Sequence, residues 1–334
     1  MTDDDLFTPE FALGHWLNTP HPLTLADLRG APVLIDFWDY TCVNCLRALP
    51  YINAWHWRYA DFGLQVIGVH APAFTFGREQ AQVQAALDEL DIRYPVLLDN
   101  DFATWHNFDN HYWPARYLLD KEGRLRHQQS GEGGYAVMEQ VIQRTLRECD
   151  ADASLPPVMA PLRPEDAPEA RMHRATPELR GGLHRGALGN PEGYAATAPM
   201  LYSLPQDRRP GAFYIGGAWQ ADQQHISYQG RGEGIVHVPY TAAEVNAVLS
   251  PQADAVERII HPQTIDIEIW QDDRPLPAER RGYDVDYDGR LTVSRPRMYN
   301  LIRNPGHEQH ELTLRVRAPG FAVYAFSFIG TVQD

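Results

Sequence analysis

The sequence predicts two domains of different class, an α/β domain followed by an all-β sandwich. Apolar runs of strand length alternate with helical stripes as far as about residue 150, a pattern that argues for an α/β domain. A stretch at 151–175 then carries Pro156, Pro157, Pro161, Pro164 and Pro168, with Pro177 at its edge, and has no periodicity. Beyond it come short segments of alternating apolar and polar residues separated by Gly, Pro, Asn and Asp, the signature of antiparallel β-structure. With 334 residues the chain has room for two domains that each bury a core. The expected boundaries are an α/β domain at 1–150, an extended proline-rich linker at 151–175 and a sandwich at 176–334.

In chain order, Val33-Leu34-Ile35-Asp36-Phe37-Trp38 reads as a buried strand of parallel type. Leu46, Leu49, Ile52 and Trp55/His56 recur at helical spacing just after it. Leu64 to Val69 is the next strand, Val83, Ala86, Leu87 and Leu90 the next helical stripe, and Pro95 to Leu98 and Arg116 to Asp120 two further strands. Met138, Val141, Ile142 and Leu146 mark a closing helix that ends near Cys149. In the second half, Thr264 to Trp270, Glu311 to Arg317 and Phe321 to Ile329 alternate as strands do.

Composition excludes several classes of function. The formal net charge of −15 leaves no clustered Lys and Arg for a phosphate backbone, so nucleic acid is not an expected partner. No apolar run approaches the roughly 18 residues of a membrane-spanning helix, and the acidic start Met1-Thr2-Asp3-Asp4-Asp5-Leu6 lacks a basic n-region and an apolar h-region. The expected location is cytoplasmic by default, or extracytoplasmic if a leader has been removed. Three cysteines are too few for a disulfide framework. His106, Asp109 and His111 lie close together but match no ligand spacing, so no metal is assigned.

Cys42 and Cys45 form a CxxC pair, with Val43 and Asn44 as spacer, at the strand-to-helix junction. Only a thiolate attacks a disulfide, and the partial positive charge of a helix N-terminus favours an anion. Cys42 is therefore the expected nucleophile, and Cys45, one turn on and more buried, is placed to resolve the mixed disulfide. Asp36 sits inside the apolar strand, six residues before Cys42, where a carboxylate is costly to bury; it is the candidate acceptor for the Cys45 proton. Pro50 would bend the helix. Trp113-Pro114 precedes a strand and is a candidate cis peptide; there it would shape a groove for an extended substrate, with Trp38 and Tyr40 as further residues on the substrate side. No cofactor is expected beyond the redox-active disulfide itself.

With Asp36, both cysteines and Pro50 in matching register, this region resembles thioredoxin, and the long stretch between Cys45 and Pro114 resembles the TlpA and ResA branch. More specifically, Phe37-Trp38-Asp39-Tyr40-Thr41-Cys42-Val43-Asn44-Cys45, Gly68-Val69-His70-Ala71-Pro72, Trp113-Pro114-Ala115 and Gly131-Glu132-Gly133-Gly134-Tyr135 look like the C-terminal region of DipZ proteins. The likeness extends through Arg297 to Ile302 and Tyr324 to Phe328. It implies a thioredoxin-like fold followed by a jelly-roll, carbohydrate-binding-module-like sandwich, and a thiol-disulfide oxidoreductase acting on protein disulfides. DipZ proteins begin with a membrane portion that passes electrons outward; no such portion is expected here, which leaves the electron donor unidentified.

Peroxidase chemistry would require Thr or Ser three residues before Cys42, where Asp39 stands. Trp219, Trp270, Tyr228 and Tyr240 are candidates for core packing or for a platform binding a glycan or a protein on the sandwich. The competing expectation is a glycan- or protein-binding scaffold whose dithiol is a redox sensor. Whether the dithiol reduces, oxidises or isomerises depends on its potential against its compartment.

Overall fold

The computed structural model describes residues 8–333, so the acidic start from Met1 to Leu6 lies outside the described residues. The chain divides into two compact units, 1–170 and 171–334.

The first unit is built on a six-stranded mixed sheet. Its strands are β1 (His15–Leu17), β2 (Val33–Trp38), β3 (Gln65–His70), β4 (Val96–Leu98), β5 (Ala115–Leu119) and β6 (Leu125–Ser130), arranged β1-β4-β3-β2-β5-β6. β2, β3 and β4 run parallel, with β5 antiparallel to β2. All six side chains of β2 are buried, as expected of a strand covered on both faces. Helices α1 (Val43–Tyr59), α2 (Gln80–Glu89), α3 (Ala103–Asn107) and α4 (Tyr135–Cys149) complete the unit. On one side of the sheet Phe37 meets Trp105, Phe108 and Tyr117 edge-on, with ring centroids 5.4–5.9 Å apart, a preferred aromatic arrangement.

Details differ from the sequence reading, each for a physical reason. β6 is an edge strand whose residues Leu-Arg-His-Gln-Gln-Ser are half-buried or exposed, so no apolar pattern announces it. The buried face of α1 is Cys45, Ala48, Leu49, Tyr51, Ile52, Trp55 and Tyr59 rather than a stripe starting at Leu46, because the chain enters the helix with Cys45 turned inward. Pro50 lies inside α1 on its exposed side. Residues 151–170, expected as an extended linker, fall within the first unit. Met159 N–H donates to buried Glu139 on α4, Leu162 N–H to the Tyr51 hydroxyl, and Arg163 to the Arg47 carbonyl on α1. Those backbone and side-chain groups give a periodicity-free segment a fixed course.

The strands of the second unit pair antiparallel, and a short helix, α5 (Ala255–Ile260), and a 3-10 turn at Ala278–Arg280 accompany them. They are β7 (Leu179–Arg180), β8 (Met200–Tyr202), β9 (Tyr214–Ala221), β10 (Ile226–Tyr228), β11 (Gly234–Ser250), β12 (Ile265–Gln271), β13 (Arg274–Pro275), β14 (Arg290–Val293), β15 (Arg297–Val316) and β16 (Ala322–Ile329). The long strand β11 pairs with β15 along one edge, and on the other with β9 near its start and β16 near its end. Opposite Ala243 the register jumps, and 304–307 bulge out of β15. Asn304, Pro305 and Gly306, residue types that favour turns, here form a bulge within one strand. Trp219, Tyr228 and Tyr240, weighed as a binding platform, are at most 1% exposed and belong to the core. Only Trp270 of that set stays half-buried, with the Arg315 guanidinium 4.1 Å from its ring centre. Among the described residues no helix is long and apolar enough to cross a membrane.

Candidate active site

β2 delivers the chain to the dithiol. Cys42 caps α1 in an extended conformation, and its Sγ accepts the Cys45 N–H at 3.2 Å. No acidic residue occupies the first turn of α1, so nothing there opposes the positive end of the helix dipole at an anionic sulfur. Cys42 is half-buried while Cys45 is 1% exposed. Burial, the hydrogen bond to Cys42 and the charge of Cys42 all push the Cys45 thiol up. One cysteine is thus only half-buried and the other holds its proton, the asymmetry that sequential attack and resolution require.

The loop between β2 and Cys42 is fixed by Asp39, a fully buried carboxylate. It accepts the Thr41 N–H at 2.6 Å, the Thr41 hydroxyl, and the Ala73 N–H at 3.0 Å, while its own carbonyl accepts the Cys42 N–H. His70, also fully buried, stacks on Tyr40 and lies 3.5 Å from Asp39. Burial lowers the His70 pKa, against the opposing effect of Asp39. Trp38 and Tyr40, expected on the substrate side, are 0% and 3% exposed and pack against His70. They brace the site from within and offer no face to a substrate.

Trp113-Pro114 is a cis peptide. The Trp113 indole donates to the Ala71 carbonyl at 3.1 Å and packs on Trp105, tying this segment to the end of β3. Tyr112 just before it is 60% exposed, and the Pro114 carbonyl accepts the Gly131 N–H. Val43 and Asn44 are half-buried in the first turn of α1.

Behind the cysteines lies a charged floor. Asp36 is 1% exposed and its Oδ1 has no hydrogen-bond partner. Burial raises its pKa to about 7, against the pull of Arg116. Arg116 stands directly across from it in the β2–β5 ladder and is fully buried. In the sequence Arg116 reads only as the start of a strand, although it is a charged residue in an apolar run two places after Pro114. Glu132 binds Arg47, two residues beyond Cys45, at 2.6 Å. Cys149 is exposed at the end of α4.

A half-buried and a fully buried cysteine at the N-terminus of a helix, on a mixed sheet with a cis-proline before β5, define a redox dithiol site of the thioredoxin class. Two families match the chain, "AhpC/TSA family" over residues 8–128 and "Thioredoxin like C-terminal domain" over 176–328. Protein DipZ of Mycobacterium bovis is 36% identical over 70% of this chain and 33% of its own length. The thiol-disulfide oxidoreductase YkuV of Bacillus subtilis is 36% identical over 40% of this chain and 90% of its own length. A solution structure of a thioredoxin-like protein in the oxidised form is 36% identical, covering 42% of this chain and 95% of that one with a TM-score of 0.39. The chain spans about a third of the length of the DipZ proteins it matches. It belongs to the thioredoxin-like thiol-disulfide oxidoreductases of the TlpA/ResA branch.

Proposed function

We propose that this oxidoreductase exchanges disulfides with protein substrates, with Cys42 attacking, Cys45 resolving and Asp36 accepting the resolving proton. The observation that carries the reading is the asymmetry of the dithiol: a half-buried cysteine at the helix cap, and a buried thiol one turn on whose amide already points at it. The Cys42 thiolate attacks one sulfur of a substrate disulfide and forms a mixed disulfide, and the other substrate sulfur leaves as thiolate. Cys45 then gives its proton to Asp36 and attacks the Cys42 sulfur. The Cys42–Cys45 bond forms, the mixed disulfide breaks, and the second substrate thiolate departs. Two electrons pass to the substrate, and a separate thiol donor returns them; the same steps reversed oxidise a substrate dithiol. An extended substrate segment is proposed to lie along 112–114, where Tyr112 and Trp113 are accessible.

The test is reduction of a disulfide-bonded protein under a thiol donor by the whole chain and by Cys42→Ser and Cys45→Ser. Wild type turns over, Cys42→Ser is inert, and Cys45→Ser stalls as a covalent adduct through Cys42. An inert wild type that traps nothing as Cys45→Ser rules the reading out and leaves a dithiol that only senses or stabilises.

A further inference from the structure

The guanidinium of Arg116 occupies the floor of the site with no role in the steps above. Its Nη2 donates at 2.8 Å to both the Gly131 and the Gly133 carbonyls, the backbone flanking Glu132. Its carbon lies 5.1 Å from the centre of the Tyr135 ring, and Nη1 and Nε are buried without hydrogen-bond partners. Isolated in a protein interior such a cation is costly. Its ladder partner on β2 is Asp36, whose Oδ1 is likewise buried and unpartnered. Residues directly opposite in an antiparallel pair project to the same side of the sheet. When Asp36 is ionised the two charges compensate; when Asp36 is protonated the cation is left with two carbonyls and a ring.

We propose that Arg116 is a positioning residue for the exchange reaction, which holds the Asp36 carboxyl ready to take the Cys45 proton and ties that readiness to the 131–134 loop. The inference rests on Asp36 being the proton acceptor. Burial alone would hold the proton on Asp36; the opposing cation brings its release into the neutral range. Around Asp36 the other titratable groups are Cys45 on α1 and Tyr94 before β4. Around Arg116 they are Tyr135, Cys45, Glu132 and, on β6, His127. Arg116 is the only cation in this set besides a histidine whose pKa is itself lowered.

The experiment follows the rate at which a preformed mixed disulfide on Cys42 is resolved, as a function of pH, in the full chain. In wild type the rate rises with a midpoint set by Asp36, and Asp36→Asn removes that midpoint. Arg116→Met moves the midpoint up by about one pH unit or more, and Arg116→Lys restores most of it. In an Asp36→Asn background Arg116→Met moves nothing further. If Arg116→Met does not fold, Arg116→Gln, whose amide can still donate to one loop carbonyl, carries the same expectation. An unmoved midpoint in the charge-removing variant, or an equal shift with Asp36 absent, overturns the role of Arg116 alone. A wild type whose profile ignores Asp36→Asn removes the proton-acceptor reading itself, and this inference with it.

Discussion

Two carboxylates three residues apart, Asp36 in β2 and Asp39 just beyond it, are equally hidden from water and differently used. Asp39 is 0% exposed and receives the Thr41 amide and hydroxyl and the Ala73 amide. Asp36 is 1% exposed, has an unpartnered oxygen, and faces a buried arginine instead. A carboxylate saturated by donors is a strut, since losing one partner leaves buried groups unsatisfied. One left without donors is free to change its protonation state, and sits where a proton must be moved. The same residue type thus builds the rim of the site at one position and its chemistry at the other.

This contrast is open to direct attack. Asp36→Asn slows resolution of the mixed disulfide by about a hundredfold, the scale of general base catalysis, while initial attack by Cys42 changes little; stopped-flow kinetics separates the two steps. The two asparagine variants then shift stability in opposite directions at pH 8 in chemical denaturation. Asp36→Asn removes a buried charge whose desolvation Arg116 only partly offsets, and stabilises the reduced protein by on the order of 2–4 kcal/mol. Asp39→Asn gives up charge-assisted bonds and destabilises it by about 1–3 kcal/mol. If both shift stability the same way, the comparison fails.

The pH dependence follows from the raised Asp36 pKa. The folded protein keeps this proton up to about 7 whereas the unfolded chain loses it near the ordinary aspartate value of 3.8. Between those values the folded state binds more protons, so the Asp36 contribution is fully present below the lower value and is lost as pH rises through about 7. Denaturation midpoints of the reduced protein, compared with Asp36→Asn, show this slope in wild type and its loss in the variant. At the rim the smallest effect is expected from Glu132→Gln. Its ion pair with Arg47 has side chains 12% and 24% exposed, and its loss costs about 1 kcal/mol or less, diminishing with salt.

Much of this site was legible in the sequence because its residues interrupt a local pattern. Asp36 breaks an apolar strand, Cys42 and Cys45 fall at a strand-to-helix junction, and Pro114 precedes another strand. What stayed hidden depended on pairing across the chain. Arg116 gains its meaning only from the β2–β5 register, and Glu132 only from the approach of Arg47. Trp38 and Tyr40 were misplaced because proximity in sequence to Cys42 does not say which face of β2 and its following loop a ring takes. In the second unit, alternation located β12, β16 and the end of β15; it did not announce β11, and it missed the length of β15 because Asn304, Pro305 and Gly306 are absorbed as a bulge. The 151–170 segment carries no periodic pattern, and its course is set by Glu139, Tyr51 and Arg47 far back along the chain.

The most direct test of the account is the titration of the Asp36 carboxyl itself in the reduced protein, by carbon-13 NMR of labelled aspartate assigned through the signal lost in Asp36→Asn. The account predicts a midpoint near 7. A midpoint at the ordinary aspartate value, near 3.8, would contradict it and return Asp36 to the same structural role as Asp39.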